Sequence, residues 1–149
     1  MILQRNVELA KGRINVAYDR LSEAEYNLTN LLYRGALHSA YYAAYTSIRV
    51  LLSLEYEEQK NHGKNINKFR QHYIKTKLLD ANLSEYIRQL YKYRDLGDYD
   101  LDFIPKHDEV VEMVHFAKEF VNAVYEYLSE KYFFNKGFPC GSLGGGRGE

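Results

Sequence analysis

The apolar residues of this chain recur in alternating steps of three and four. In the first third, Ile14, Ala17, Leu21, Ala24, Leu28 and Leu31 keep that rhythm, which puts them on one face of a helix. The stretch GALHSAYYAAYTSIRVLLSL repeats it through Leu37, Ala40, Tyr41, Ala44, Ile48 and Leu51, with Tyr45 and Leu52 widening the stripe. Val111, Val114, Ala117, Val121, Val124, Tyr125 and Leu128 do the same near the end. No segment alternates with period two, and no hairpin signal joins two apolar runs. Such a chain buries its apolar surface by packing helix on helix. The expected fold is therefore all-α, an up-and-down bundle of four main helices plus a short extra helix.

The punctuation gives approximate boundaries. The first helix is expected from about residue 3 to about 33, with a break at Gly35 before the second, alanine-rich helix. That second helix should be the centre of the core, since its alanines let neighbours approach closely. EYEEQKNHGKN reads as a loop, and NINKFRQHYIKT as a shorter third helix. A fourth begins near Leu83, with Tyr86 or Ile87, Leu90 and Tyr93 facing inward, and ends by Gly97. Pro105 keeps Ile104 extended, and Asp108 is the expected N-cap of the last helix. Residues 1–134 then make one helical domain. Residues 135–149, with repeated glycine and no periodicity, make an expected disordered tail.

Composition narrows the function. Lys plus Arg and Asp plus Glu are both 20, so any binding to nucleic acid must come from a local patch. The single cysteine, Cys140, rules out an intrachain disulfide and suits a reducing cytosol. The first residues carry early charges and no continuous apolar run, so neither a secretory signal nor a membrane span is expected, and the expected location is cytoplasmic. With 15 Tyr, 7 Phe and no Trp, the helices are rich in rings that carry a polar tip, which suits subunit packing or a polar groove. Phosphate-loop and dinucleotide glycine motifs are absent. His38, His62, His72, His107 and His115 lack the pairing of a helical metal site, and Glu112-x-x-His115 occurs once where a di-iron bundle needs two copies. No cofactor is expected.

The stretch YKYRDLGDYDLDF, residues 91–103, concentrates chemistry at the end of the fourth helix. Arg94 and Asp98 are i, i+4 neighbours, with Tyr99 and Asp100 at the terminus. Two readings follow. Arg94 could serve the helix C-terminus while pairing with Asp98, a purely structural stop. Alternatively, Arg94, Asp98 and Tyr99 could line a groove that faces phosphate, with Arg88 and Lys92 adding charge from the same helix.

The small-residue helix GALHSAYYAAYTSIRVLL, the loop and short helix NHGKNINKFRQHYIK, and the closing YRDLGDYD come in an order that resembles the HEPN superfamily. The likeness is to its small stand-alone bacterial and archaeal members with an Arg…Asp-Tyr motif, and it covers about residues 5–130. It implies a four- to five-helix bundle that dimerises, with the arginine motifs of two subunits facing a shared groove. It also implies binding of RNA or a nucleotide, and a toxin–antitoxin-like pairing with a minimal nucleotidyltransferase that could modify a tyrosine near the motif. Arg94 matches the family's arginine. Active members follow it with a histidine after four to six residues; here Asp98, Tyr99 and Asp100 stand in that region. Histidine titrates near neutrality, whereas tyrosine is a poor base and an ionised aspartate beside arginine a weak one. A binding module is thus the preferred expectation. A metal-independent endoribonuclease using Arg94, Asp98 and Tyr99, and a structural helical dimer, are the alternatives.

Overall fold

The computed structural model describes residues 3–133. Five α-helices follow one another: α1 (Gln4–Thr29), α2 (Tyr33–Glu55), α3 (His62–Phe69), α4 (Asn82–Tyr99) and α5 (His107–Leu128). A π-helical turn extends α3 over Arg70–Ile74, and another extends α5 over Ser129–Phe133. The expected tail, with Cys140, lies outside the described residues.

α1, α2, α4 and α5 form an up-and-down bundle, the architecture expected from the spacing. Gly35 of α2 lies against Asn27 near the end of α1, so those two helices run antiparallel. Tyr41 of α2 meets Tyr91 of α4, and Arg34 meets Gly97, which sets a second antiparallel pair. Tyr86 stacks on Phe116 and Tyr93 donates to Glu109, so α5 returns alongside α4. The ring closes where the Tyr18 hydroxyl of α1 donates to Asn122 Oδ1 at 2.7 Å.

α2 is the centre. Its buried residues run around the whole helix, from Ala36, Leu37, Ala40 and Tyr41 to Ile48, Leu51 and Leu52. A helix covered on all sides needs small residues where neighbours cross, and Ala36, Ala40, Ala43 and Ala44 supply them. On α1 the expected stripe is buried at Ile14, Ala17, Leu21 and Ala24, and Val7 and Ala10 continue it toward the N-terminus.

Several boundaries differ from the expectation, each for a local reason. The break between α1 and α2 falls at Asn30–Leu32, not at Gly35. Leu31 takes a left-handed φ of 60°, which throws its side chain outward to 63 % exposure instead of onto the stripe. Gly35 lies inside α2, where a Cβ would come within 3.0 Å of Asn27 Nδ2, so it serves helix approach and not a turn. Gly97 is likewise inside α4, seated on Leu37 and the Arg34 backbone, and the helix continues to Tyr99. The N-cap of α5 is Lys106, whose backbone is extended after Pro105. Asp108 instead sits with Glu109 in the first turn, where negative charge favours the helix dipole. Val111 is 42 % exposed and Val110 takes its place in the core.

Two polar hubs brace opposite ends of α2. At its start, the Arg34 guanidinium donates to the carbonyls of Gly97 (2.8 Å), Asp100 (3.1 Å) and Phe103, tying down the α4 C-terminus and the loop beyond it. At its end, the Glu55 carboxylate accepts from the hydroxyls of Tyr73 (2.6 Å), Tyr127 (2.9 Å) and Tyr132, and from Lys131 Nζ (2.7 Å). Both π turns contribute to this second hub, through Tyr73 and through Lys131 with Tyr132.

Candidate functional site

Arg94 lies on the inward side of α4, 7 % exposed, where the N-terminal half of α2 faces it. Tyrosine rings surround its guanidinium: Tyr41 at 4.8 Å, Tyr91 at 5.2 Å, Tyr42 at 5.7 Å and Tyr99 at 5.9 Å from the guanidinium carbon to ring centroid. The sequence places Tyr91 one turn before Arg94 on α4, while Tyr41 and Tyr42 come from α2. An arginine suits such a cage because its flat, weakly hydrated cation stacks on aromatic faces. Its polar partners are few. Asp95 Oδ1 is 3.4 Å from Nη2 and Asp98 Oδ2 is 4.0 Å from Nη1, while the buried Nε–H has no acceptor among the described residues. A buried donor without an acceptor is unusual. The role of closing the helix, one of the two readings of Arg94, is performed here by Arg34.

Asp98 reaches across to α2, where its Oδ2 is 2.8 Å from His38 Nδ1. The His38 ring packs on Tyr42 with centroids 4.8 Å apart. Tyr99, at the last position of α4, is 72 % exposed and has its ring over one side of the arginine. Arg94, Asp98 and Tyr99 are therefore together. The two supporting residues are placed otherwise. The Arg88 guanidinium is held by Glu85 at 2.6 Å and 3.0 Å, and it lines a groove with Gly63, Ile66, Arg70 and Tyr91 from which Arg94 is absent. Its hydrogen bonds, with one from Gln89, pull the Glu85 carboxyl down to about 2. Lys92 points along the exposed side of α4, with Nζ 5.7 Å from the Tyr93 ring.

His62 enters from the first turn of α3. The cap places it: Asn61 Oδ1 accepts from Lys64 N at 3.0 Å, which starts α3 beside α2. The imidazole stacks on Tyr45 at 4.0 Å, and its Nδ1 is 2.9 Å from the Tyr41 hydroxyl. Burial, then the charges of Arg94 and Arg49, push the His62 pKa down, so it is neutral near neutral pH. Burial also pushes Tyr41 far above the usual tyrosine range, so its hydroxyl keeps its proton and can donate to His62 Nδ1. Beyond His62 an open groove of about 410 Å³ is lined by Tyr45, Arg49, Glu58, Gln59 and Lys60.

His38, Tyr41, Tyr42 and His62 were not assigned to a site from the sequence. Their relation to Arg94 depends on how α2 registers against α4 and, for His62, on where α3 starts beside α2. A signal existed in the sequence: His38 and Tyr42 are an i, i+4 pair, as are Arg94 and Asp98, on helices that both carry a buried stripe.

The HEPN domain pattern matches residues 10–128, from within α1 to the end of α5. “Putative toxin MJ0142” of Methanocaldococcus jannaschii is 34% identical over 110 residues, covering 73% of this chain and 75% of that protein. “Putative toxin MJ0605” of the same organism is 29% identical over 123 residues, covering 83% of this chain and 91% of that one. By pattern, by relatives and by an all-helical bundle, the chain belongs to the HEPN domain family.

Proposed function

We propose that the chain is a HEPN toxin-like protein that holds a phosphate of RNA or of a nucleotide at Arg94 and acts as one half of a pair with a minimal nucleotidyltransferase. The observation that carries the reading is the arginine itself. Its guanidinium is buried among four tyrosine rings, leaves a buried N–H unsatisfied, and is relieved by Arg34 of any duty at the helix end. The tyrosines offer faces on which a nucleobase can stack, and the fork of the arginine suits two phosphate oxygens. Tyr99, the most exposed member of the cage, is the hydroxyl that a nucleotidyltransferase partner would modify. The names of the two relatives support the toxin side of this pairing. The test is binding of fluorescent RNA and of nucleotides by the wild type and by Arg94→Ala. A charge-assisted contact is worth about 2 kcal/mol, so the variant should bind about 30-fold more weakly with its helicity intact. Equal binding by both proteins would remove Arg94 from the site.

The same reading includes a symmetric homodimer. Tyr99, Leu101 (92 % exposed) and Ile104 (81 % exposed) share one end of the bundle with Leu31 and Leu32, because Arg34 pulls the α4–α5 loop onto the start of α2. A second copy covering this apolar end would bring two Arg94 sites together. Replacing Leu101 and Ile104 together by Asp should convert a dimer to a monomer in sedimentation at micromolar concentration. A wild type that sediments as a monomer would defeat this part.

A further inference from the structure

We propose that the outer side of α3 and of the π turn that follows it is a track for the phosphate backbone, along which a single-stranded RNA runs once one of its phosphates is seated at Arg94. The proposal rests on the reading of Arg94 as the phosphate-binding residue. It decides between the two ligands that reading allows, in favour of a polynucleotide over a lone nucleotide.

The charge of the chain is unevenly placed. Six of its 20 Lys and Arg, and none of its 20 Asp and Glu, fall between Gln59 and Leu79: Lys60, Lys64, Lys68, Arg70, Lys75 and Lys77. A chain with no net charge thus carries one strongly basic segment, balanced by an acidic remainder. Contact does not cancel this charge. Among the described residues none of the six makes an ion pair, whereas Arg20, Arg49 and Arg88 are each held by a glutamate. Lys68 Nζ donates to the Glu57 carbonyl at 2.7 Å and Arg70 Nε to the Ser84 hydroxyl at 2.9 Å. Both acceptors are neutral, so they fix the two side chains and leave their charges whole.

The fold presents the segment on one side. From His62 to Ile74, α3 and its π turn are continuous, about 20 Å at 1.5 Å per residue. Asn65, Ile66, Phe69 and Tyr73 are buried and take the inner side. Lys64, Asn67, Gln71 and Lys75, in steps of three and four, are exposed on the other. No large apolar residue is exposed between Tyr56 and Leu78. Protein interfaces are built around apolar and aromatic anchors and are poor in lysine, so a lysine face without such anchors suits a polyanion.

This side joins the arginine cage at two places. At the start of α3, His62 Nδ1 is 2.9 Å from the hydroxyl of Tyr41, whose ring covers Arg94. Along the flank, a groove of about 250 Å³ between α3 and α4 is lined by Gly63, Asn67, Arg70 and Tyr91, and the Tyr91 ring is 5.2 Å from the Arg94 guanidinium carbon. Arg88 also lines this groove but is neutralised by Glu85, which leaves Arg70 as its uncompensated cation. Tyr91 is 38% exposed and offers a ring on which a base can stack between a phosphate at Arg94 and one at Arg70. Lysines that meet phosphates and not base edges give binding that ignores sequence and weakens with salt.

The test uses the full chain, a fluorescent RNA of about 12 nucleotides and a fluorescent adenine nucleotide, titrated at several salt concentrations. Wild type should bind the RNA more tightly than the nucleotide. Lys60, Lys64 and Lys75 are exposed and make no side-chain bond to a described residue, so all three can be changed to Gln within one folded protein. Each lost phosphate contact removes about 0.7 from the slope of log affinity against log salt, so the triple variant should flatten the slope by about 2 and bind RNA about 100-fold more weakly at about 0.1 M salt. Its nucleotide binding should equal that of wild type, which also shows the fold intact. A triple variant that binds RNA with wild-type affinity and slope overturns the track and leaves Arg94 as the phosphate site. So does wild type that binds the nucleotide as tightly as the RNA. If the variant keeps RNA but loses binding to polyglutamate, the face belongs to an acidic protein and the proposal falls. Wild type that binds neither probe overturns both readings.

Discussion

Glu55→Gln should destabilise the protein by about 3 kcal/mol and lower its melting temperature by about 10 °C. Four donors converge on this carboxylate: Tyr73, Tyr127, Tyr132 and Lys131. The amide keeps one acceptor and sets a new donor among donors. The buried Tyr73 hydroxyl is then left with a distant second acceptor, the Leu51 carbonyl at 3.5 Å. Such a loss exceeds that of an exposed ion pair because the carboxylate side chain is only 7% exposed. The effect depends on pH in a definite direction. Burial alone would push the Glu55 carboxyl up, but the hydrogen bonds from Lys131, Tyr132, Tyr73 and Tyr127 outweigh it and hold its pKa below the usual glutamate range. A folded-state pKa below the unfolded one gives stability that is complete above the usual glutamate range and is lost as pH falls through the folded value. Urea unfolding of wild type and variant at neutral pH and in acid checks this. The gap between them should shrink in acid; a gap that stays constant would show that the charge is irrelevant.

Asn65→Ala should cost about 3 kcal/mol, from a single side chain in a short helix. Asn65 is fully buried on α3 and makes three hydrogen bonds. Its Oδ1 accepts from Gln59 N at 2.7 Å, and its Nδ2 donates to Gln59 O at 2.9 Å and to the Tyr45 hydroxyl at 2.8 Å. Alanine would leave both backbone groups of Gln59 and the tyrosine hydroxyl without these partners. Tyr45 also carries the His62 ring, so the damage should spread to the candidate site. Chemical unfolding reads the first effect, and a fall in RNA affinity beyond that of an equally destabilised variant elsewhere in the core reads the second. A loss below about 1 kcal/mol would mean that water replaces all three bonds.

Much of the bundle can be read from the chain because a buried helix face is a local property. The stripes of α1, α2 and α5 appear largely at their expected positions, Leu31 and Val111 excepted, and α2 is the centre because alanine alternates there with larger residues. Arg94 and Asp98 could be paired for the same reason, being one turn apart. What the spacing did not give is contact between helices. His38 and Asp98 are 60 residues apart, and their meeting depends on α4 settling so that Gly97 touches Leu37. Glycine was read as a breaker of helices at both Gly35 and Gly97, since in a bare sequence a residue that ends a helix looks the same as one that admits a neighbour. The true break, at Leu31, carried no warning because leucine rarely takes a left-handed backbone. Glu55 gave no sign either, as its four partners come from two segments distant in sequence from it, one after α3 and one at the end of α5.

The two hubs on α2 have opposite sign. Arg34 gathers carbonyl oxygens at one end, Glu55 gathers hydroxyls and an ammonium at the other, and the 21 positions that separate them span about 32 Å of helix. The arginine hub involves no group that titrates in acid, whereas the glutamate hub does. Of the two hubs, only the glutamate one can be opened by protonation. In acid, amide exchange should quicken around Tyr73 and Tyr132, as a sub-global opening that frays both π turns, before it does at the α4 terminus that Arg34 holds. The hub that acid unlocks is the one at the far end of α2 from Arg34.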